Sequence, residues 1–237
     1  MSGESGGMKT AALAALLLLA APAAAAERNY SVNSFDRIRV DGPYQVTLKT
    51  NVPPFARASG AQAALDGVSI KVEGRTLSVR ASSGGSWGGY PGEARGPVTI
   101  EVGTHELATA WINGAGALLI DKVKGLSFDL SIQGAGVTRI DSADVDLVKV
   151  VMSGAGSARL SGRAAKLTAN VRGTSTLDAE SLTAKDAVIA AEGPVMVRAK
   201  VGGTAKVDAL GLASVTITGG AACTVKAQGS ATVTGCD

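Results

Sequence analysis

Few side chains in this sequence have the type and spacing to do chemistry. His105 is the only histidine among the 237 residues, and it stands beside Glu106. A histidine-based triad would have to use it. With one histidine and two cysteines, no transition-metal set of familiar spacing is present. A polar loop residue is the plainer reading of His105. Asp141, Asp144 and Asp146 crowd one short segment, and calcium accepts such oxygen ligands. The Gly-Gly-x-Gly-x-Asp repeats of calcium-binding solenoids are absent, so a solvated acidic corner is expected and no metal. Gly114-Ala115-Gly116 looks like the start of a dinucleotide loop, but that loop needs a third glycine and a following helix. Leu119 takes the third-glycine place here, and Arg139 takes it in the next triplet. No cofactor is expected.

Those triplets mean something else, which is periodicity. Gly114-Ala115-Gly116 returns as Gly134-Ala135-Gly136 and Gly154-Ala155-Gly156, and its first glycine recurs at Gly173, Gly193, Gly211 and Gly229. The steps are 20, 20, 19, 20, 18 and 18 residues. Counted from that glycine, positions −4, −2, +4 and +6 are apolar or small: Leu130, Ile132, Thr138 and Ile140 in one unit, Ile189, Ala191, Val197 and Ala199 in another. Positions −1 and +5 are mostly polar. Alternate residues that face opposite ways belong to strands. Each glycine therefore marks a bend between two short strands, and a polar stretch of variable length after +7 absorbs the changes in interval at the surface.

One such unit cannot bury its apolar side alone, whereas stacked units can. The expected fold is all-β: a right-handed parallel β-helix with about 18–20 residues per coil. Aromatic residues are only 3% of the chain, so the inward columns of Ala, Val and Gly can fill only a thin cross-section. A sandwich of hairpins is the alternative, but hairpins rarely hold such a register.

Ahead of the repeats, residues 1–26 read as a secretory signal peptide: Lys9, an apolar run from Ala11 to Ala21, then Ala24-Ala25-Ala26. The run is short for a membrane span, and none is expected after its removal. Residues 27–237 are read as a single solenoid domain, placed in the periplasm or outside the cell. Ile38, Val40, Tyr44, Val46 and Leu48 already carry the coil pattern around Gly42, as an early coil or a cap built like one. Val68 to Val79 reads as a hairpin turning near Gly74. Ser82 to Gly96 is a glycine-rich loop bearing Trp87 and Tyr90. The net charge of +3, with both signs interspersed, leaves no nucleic-acid footprint.

The opening Phe35-Asp36-Arg37-Ile38-Arg39-Val40, the repeated Gly-Ala-Gly triplets and the short glycine-rich tail resemble the head GIN domain family of auto-transporter adhesins, over about Phe35 to Asp237. The resemblance implies a secreted bacterial β-solenoid with no established activity. No membrane-barrel segment follows the repeats in this sequence, so the auto-transporter part of that description gains nothing here.

Two sets of residues remain as candidates. Arg139, Arg159, Asp178 and Arg198 share position +5, with Asp141, Glu180 and Lys200 two residues further on. They form either a salt-linked solvent face or a strip, led by Arg139, Arg159 and Arg198, that meets an acidic glycan or an envelope protein. Cys223 and Cys236 are the only cysteines. Export favours a disulfide between them, closing over the last coil, against a buried free thiol at Cys223. The leading expectation is a non-enzymatic secreted or envelope module that binds a surface glycan or envelope protein, with end-to-end association of coils as a further contact. The alternative is a carbohydrate-active β-helix protein acting on an acidic polysaccharide. Trp87, Tyr90 and Trp111 are its few candidate sugar platforms.

Overall fold

The computed structural model describes residues 26–82 and 96–236. The signal-like segment before Ala26 and the glycine-rich stretch with Trp87 and Tyr90 lie outside them. The described chain is an all-β parallel solenoid of about 6 turns. Its N-terminal part comprises β1 (Ala26–Tyr30), β2 (Arg37–Asp41), β3 (Gln45–Lys49), β4 (Phe55–Gly60), the helix α1 (Gln62–Asp66), β5 (Val68–Glu73), β6 (Thr76–Ala81) and β7 (Val98–Gly103). The coils follow as β8 (Thr109–Gly114), β9 (Ala117–Gly134), β10 (Val137–Gly154), β11 (Ser157–Gly173) and β12 (Thr176–Glu192). The last turns are β13 (Met196–Val201), β14 (Thr204–Gly211), β15 (Ser214–Thr218), β16 (Ala222–Gly229) and β17 (Thr232–Thr234).

The four inward columns stack as their spacing requires. Thr138 pairs with Leu118 and Ala158, and Met152 with Ile132 and Val171, in parallel register. From Leu118 to Ile217 the residues at these positions are buried. Phe128 is the largest fully buried side chain, which fits a narrow core packed at interior density.

The stretch after +7 differs from the expected surface loop. It is a third strand-like side with its own inward residues, among them Val123, Ala143, Val145, Ala164, Leu182 and Val201. In β10 the in–out alternation slips at Asp141-Ser142 and again at Asp146-Leu147, where two neighbours both point away from the core. A straight strand cannot do that, so each slip is a corner. One or two inward residues between corners are too few to show a period in sequence. The length changes are absorbed on this side, where the register shifts between Ile140 and Ala143, between Arg159 and Ser161, and between Ala179 and Thr183.

The remaining corner is the glycine one. Gly114 lies against Gly134, Gly134 against Gly154, and Gly154 against Gly173. At Gly154 φ is +113°, and an added Cβ would stand 2.6 Å from the Gly134 carbonyl oxygen of the turn below. The second glycine of each triplet has another cause: it is buried and limited by its neighbours. A Cβ at Gly136 would meet Ile112 Cγ2 at 2.6 Å, and one at Gly156 would meet Ile132 Cγ2 at 2.8 Å. Where the −2 column shrinks from Ile132 and Met152 to Val171, Ala191 and Ala209, the +2 column gains bulk as Ser175, Val195 and Ala213, all buried. The triplet fades along the chain because the two columns trade volume at constant packing.

The residues around Gly42 form a true coil. Ile38 pairs with Ala110, and Val46 with Leu118, in parallel. The chain then leaves the stack and returns on the far side of that coil, where β6 lies beside β2 and β7 beside β3. The β5–β6 hairpin and antiparallel β4 and β1 complete the N-terminal cap. Short α1 buries Ala64 and Leu65 against it. At the other end, Cys223 and Cys236 are joined by a disulfide with Cα atoms 5.5 Å apart. The last turn exposes residues that are inward in every turn before it: Val225 is 41% accessible. Among the described residues no helix is long and apolar enough to cross a membrane.

Candidate functional site

The +5 residues do form one column. Leu119, Arg139, Arg159, Asp178, Arg198 and Thr216 are successive register partners. Parallel stacking puts rungs about 4.8 Å apart, so this spacing carries the charges up one outer face. Two of the three arginines already have partners there. Arg139 Nε donates to Asp141 at 2.6 Å, and Arg159 Nε donates to Asp178 across the rung at 3.0 Å. Arg198 makes no ion pair among the described residues. The strip is thus largely a salt-linked solvent face, in which each exposed pair contributes little.

The acidic corner is engaged in the same way. Asp144 accepts from both Nε and Nη2 of Arg163 on the next turn, at 2.7 and 2.9 Å, a bidentate geometry that suits guanidinium. Asp141 belongs to Arg139, and Asp146 lies past the buried Val145. No group of three or more His, Cys, Asp and Glu suited to a metal occurs among the described residues. His105 and Glu106 line a cavity of about 340 Å³ with Thr50, Asn51, Lys122 and Lys124. The imidazole makes no hydrogen bond to Glu106 or to a hydroxyl among the described residues, so no base–orienter pair is assembled. Glu106 instead lies 3.9 Å from Arg75.

A second face carries more. It is the outer side of the strands that precede the glycine corner. Arg39, Trp111, Ser131 and Val151 lie in register there, as do Arg37, Thr109, Asp129 and Lys149 beside them. All of these but Arg39 line a shallow basin of about 410 Å³. Trp111 is half-buried on this face and Val151 is 49% accessible. Asp129 holds a buried Oδ1 without a hydrogen-bond partner, the nearest cation being Lys149 Nζ at 4.0 Å. The Arg37 guanidinium at the lower end is only loosely held, 3.9 Å from Asp36. Of these residues, sequence reading singled out Trp111 alone. Its neighbours come from turns about 20 residues apart and from β2, far earlier in the chain. The −3 and −5 columns, laid side by side, are the signal that could have found them.

Over residues 34–221 the chain matches the family described as "Putative auto-transporter adhesin, head GIN domain". Among solved structures it is similar to a "putative adhesin" from Bacteroides fragilis, with a TM-score of 0.76 at 16% identity, covering 90% of this chain and 97% of that one. A "putative adhesin" from Parabacteroides merdae aligns with a TM-score of 0.62 at 13% identity, covering 89% of this chain and 95% of that chain. A "putative lipid binding protein" from Parabacteroides distasonis gives 0.61 at 15% identity, with 89% and 96% covered. At such identities the likeness is one of fold. A comparison with curated proteins returns no match.

Proposed function

The chain belongs to the head GIN domain family, and from that premise we propose that it is a non-enzymatic binding module of the bacterial envelope or exterior. Residues 1–26 serve as its secretory signal, and residues 27–237 act as one domain that engages a surface glycan or an envelope protein. The observation that carries this reading is the outer surface itself: flat, in-register columns of polar side chains on a stack of parallel turns. Solenoids offer such extended faces for binding. Catalytic work would need a nucleophile–base or acid–base pair at hydrogen-bond reach, whereas Asp141, Asp144 and Asp178 are held by arginines.

The test is a glycan and envelope-fraction binding screen with the secreted chain, followed by product analysis of every hit. Binding without any change in the ligand supports the module. Cleavage of the bound polysaccharide would replace it with the carbohydrate-active alternative. Association of two chains end to end is a further contact supported by the exposed Val225 of the last turn. Light scattering across a concentration series reads it directly, and a monomer at every concentration excludes it.

A further inference from the structure

We propose that the basin around Trp111 is the glycan site of this module, and that it takes a short stretch of acidic oligosaccharide laid along the solenoid axis. The proposal rests on the binding reading above and names the place and the ligand class.

Four features converge there. First, Trp111 is an aromatic side chain on the outside of a protein that uses few, on a flat strand face. Its inward neighbours Ala110 and Ile112 are fully buried and pack the core without it. An indole at a surface with a polar surround offers the apolar face of a sugar ring a large contact at low entropy cost. Second, Asp129 Oδ1 is buried and lacks a hydrogen-bond partner, with Lys149 Nζ 4.0 Å away. A buried acceptor in that state is costly to leave unmade, and a sugar hydroxyl donating to it would satisfy it. Third, Thr109 and Ser131 place two further hydroxyls on the basin floor, one on each strand beside Trp111 and Asp129. Fourth, cations close both ends. Arg37 and Lys149 are three rungs apart, about 14 Å at the usual strand spacing.

Cation, hydroxyls with a carboxylate, cation is the order that fits an oligosaccharide with acid groups at an interval. It does not fit a bare polyanion, which the central Asp129 repels. A neutral glycan would leave Arg37 and Lys149 with only their loose contacts to Asp36 and Asp129, at 3.9 and 4.0 Å. The +5 strip lacks this combination, since two of its three arginines are paired internally, leaving only Arg198 without an ion pair among the described residues, and no aromatic ring stands among them.

The experiment titrates the disulfide-intact chain with a galacturonate hexamer and a heparin hexamer. A neutral cello-hexaose and polyglutamate serve as controls, with calorimetry as readout. The expected result is saturable binding of at least one acidic hexamer, weaker by about tenfold or more in Trp111→Ala and by several-fold in Lys149→Ala. Arg159→Ala, on the other face, should bind as the parent does. Added salt should weaken the parent more than Lys149→Ala. Circular dichroism of each variant keeps folding separate from binding, and Lys149→Ala on an exposed position tests the site even if Trp111→Ala unfolds. Binding that survives both basin substitutions overturns the site while leaving a glycan-binding module intact. Polyglutamate binding as tightly as the hexamers also overturns it. No binding of either hexamer by the parent overturns the site. A protein ligand recovered from the envelope screen would then leave the module standing without it.

Discussion

Gly154→Ala and Gly74→Ala make the same chemical change at two glycines of positive φ, and the structure separates their costs. Gly74 turns the β5–β6 hairpin at φ +63°, with nothing within 4 Å of an added Cβ. That angle lies inside the small left-handed well open to any L-residue, so the change should cost about 1 kcal/mol. Gly154 sits at φ +113°, well outside it, where strain is about 1–3 kcal/mol. Its Cβ would also stand 2.6 Å from the oxygen and 3.0 Å from the nitrogen and Cα of Gly134. Those are backbone atoms that cannot rotate aside. The turn must lift, and the bond from the Ala155 N–H to the Gly134 carbonyl, 2.8 Å long, is stretched at a cost of about 1 kcal/mol. Gly154→Ala should therefore lose about 2–4 kcal/mol, and Gly154→Val more. Urea unfolding followed by circular dichroism gives the totals, and hydrogen exchange on β10 and β11 shows where the loss falls. If Gly154→Ala proves no costlier than Gly74→Ala, the stacked corner is not the constraint described.

The volume trade predicts coupling: Gly156→Ala should cost less in an Ile132→Ala background than alone, by about 1 kcal/mol, and strict additivity in a double-mutant cycle would count against it. Reduction of Cys223–Cys236, or Cys223→Ser, should cost about 3 kcal/mol on the chain-entropy account of a loop this size. Its exchange protection should drop in β16 and β17 and hold in β9 and β10. Mass spectrometry after alkylation without reductant checks the pairing, and two labelled thiols would remove it. Asp186 is held below the usual carboxylate range by the Thr204 hydroxyl and then by the Thr204 N–H. Its contribution is complete above its unfolded value of about 3.9 and is lost as pH falls through the lower folded value. The deficit of Asp186→Asn should therefore be seen at pH 7 and close below about pH 4, and a gap that widens in acid would contradict the assignment.

Much of the coil was legible because its inward columns repeat within about 20 residues, and a strand alternates however small its side chains are. The third side, with Val123 or Val145 as isolated inward residues, was hidden by corners that reset the phase. The second glycine of each triplet read as part of a bend, since the side chain that excludes a Cβ there, Ile112 or Ile132, belongs to the turn below. The basin was least legible. Trp111 stood out by type, but Arg37, Asp129 and Lys149 become its neighbours only through a register that joins β2 to β8 past the whole cap. Ion pairs such as Arg159–Asp178 were visible as a shared offset, while the choice of Asp141 by Arg139 depended on side-chain geometry.

The placement of β2 and β3 between two later-formed rungs has a kinetic consequence. The turns from β9 onward join residues 17 to 20 apart, as Arg159 and Asp178 are at 19, so each can add to the one before with little loop closure. The coil around Gly42 must wait, because Asp41 meets Asn113 across 72 residues. In a chain synthesised from its N-terminus, the apolar alternation Ile38, Val40, Val46, Leu48 is the first made and among the last paired. It is thus the stretch most exposed to pairing with the wrong strand. The charged outward residues there are Arg37, Arg39, Asp41 and Lys49, which oppose such pairing while the strand stands alone. Assembly should begin among the repeats and finish with the cap closing around the segment that emerged first.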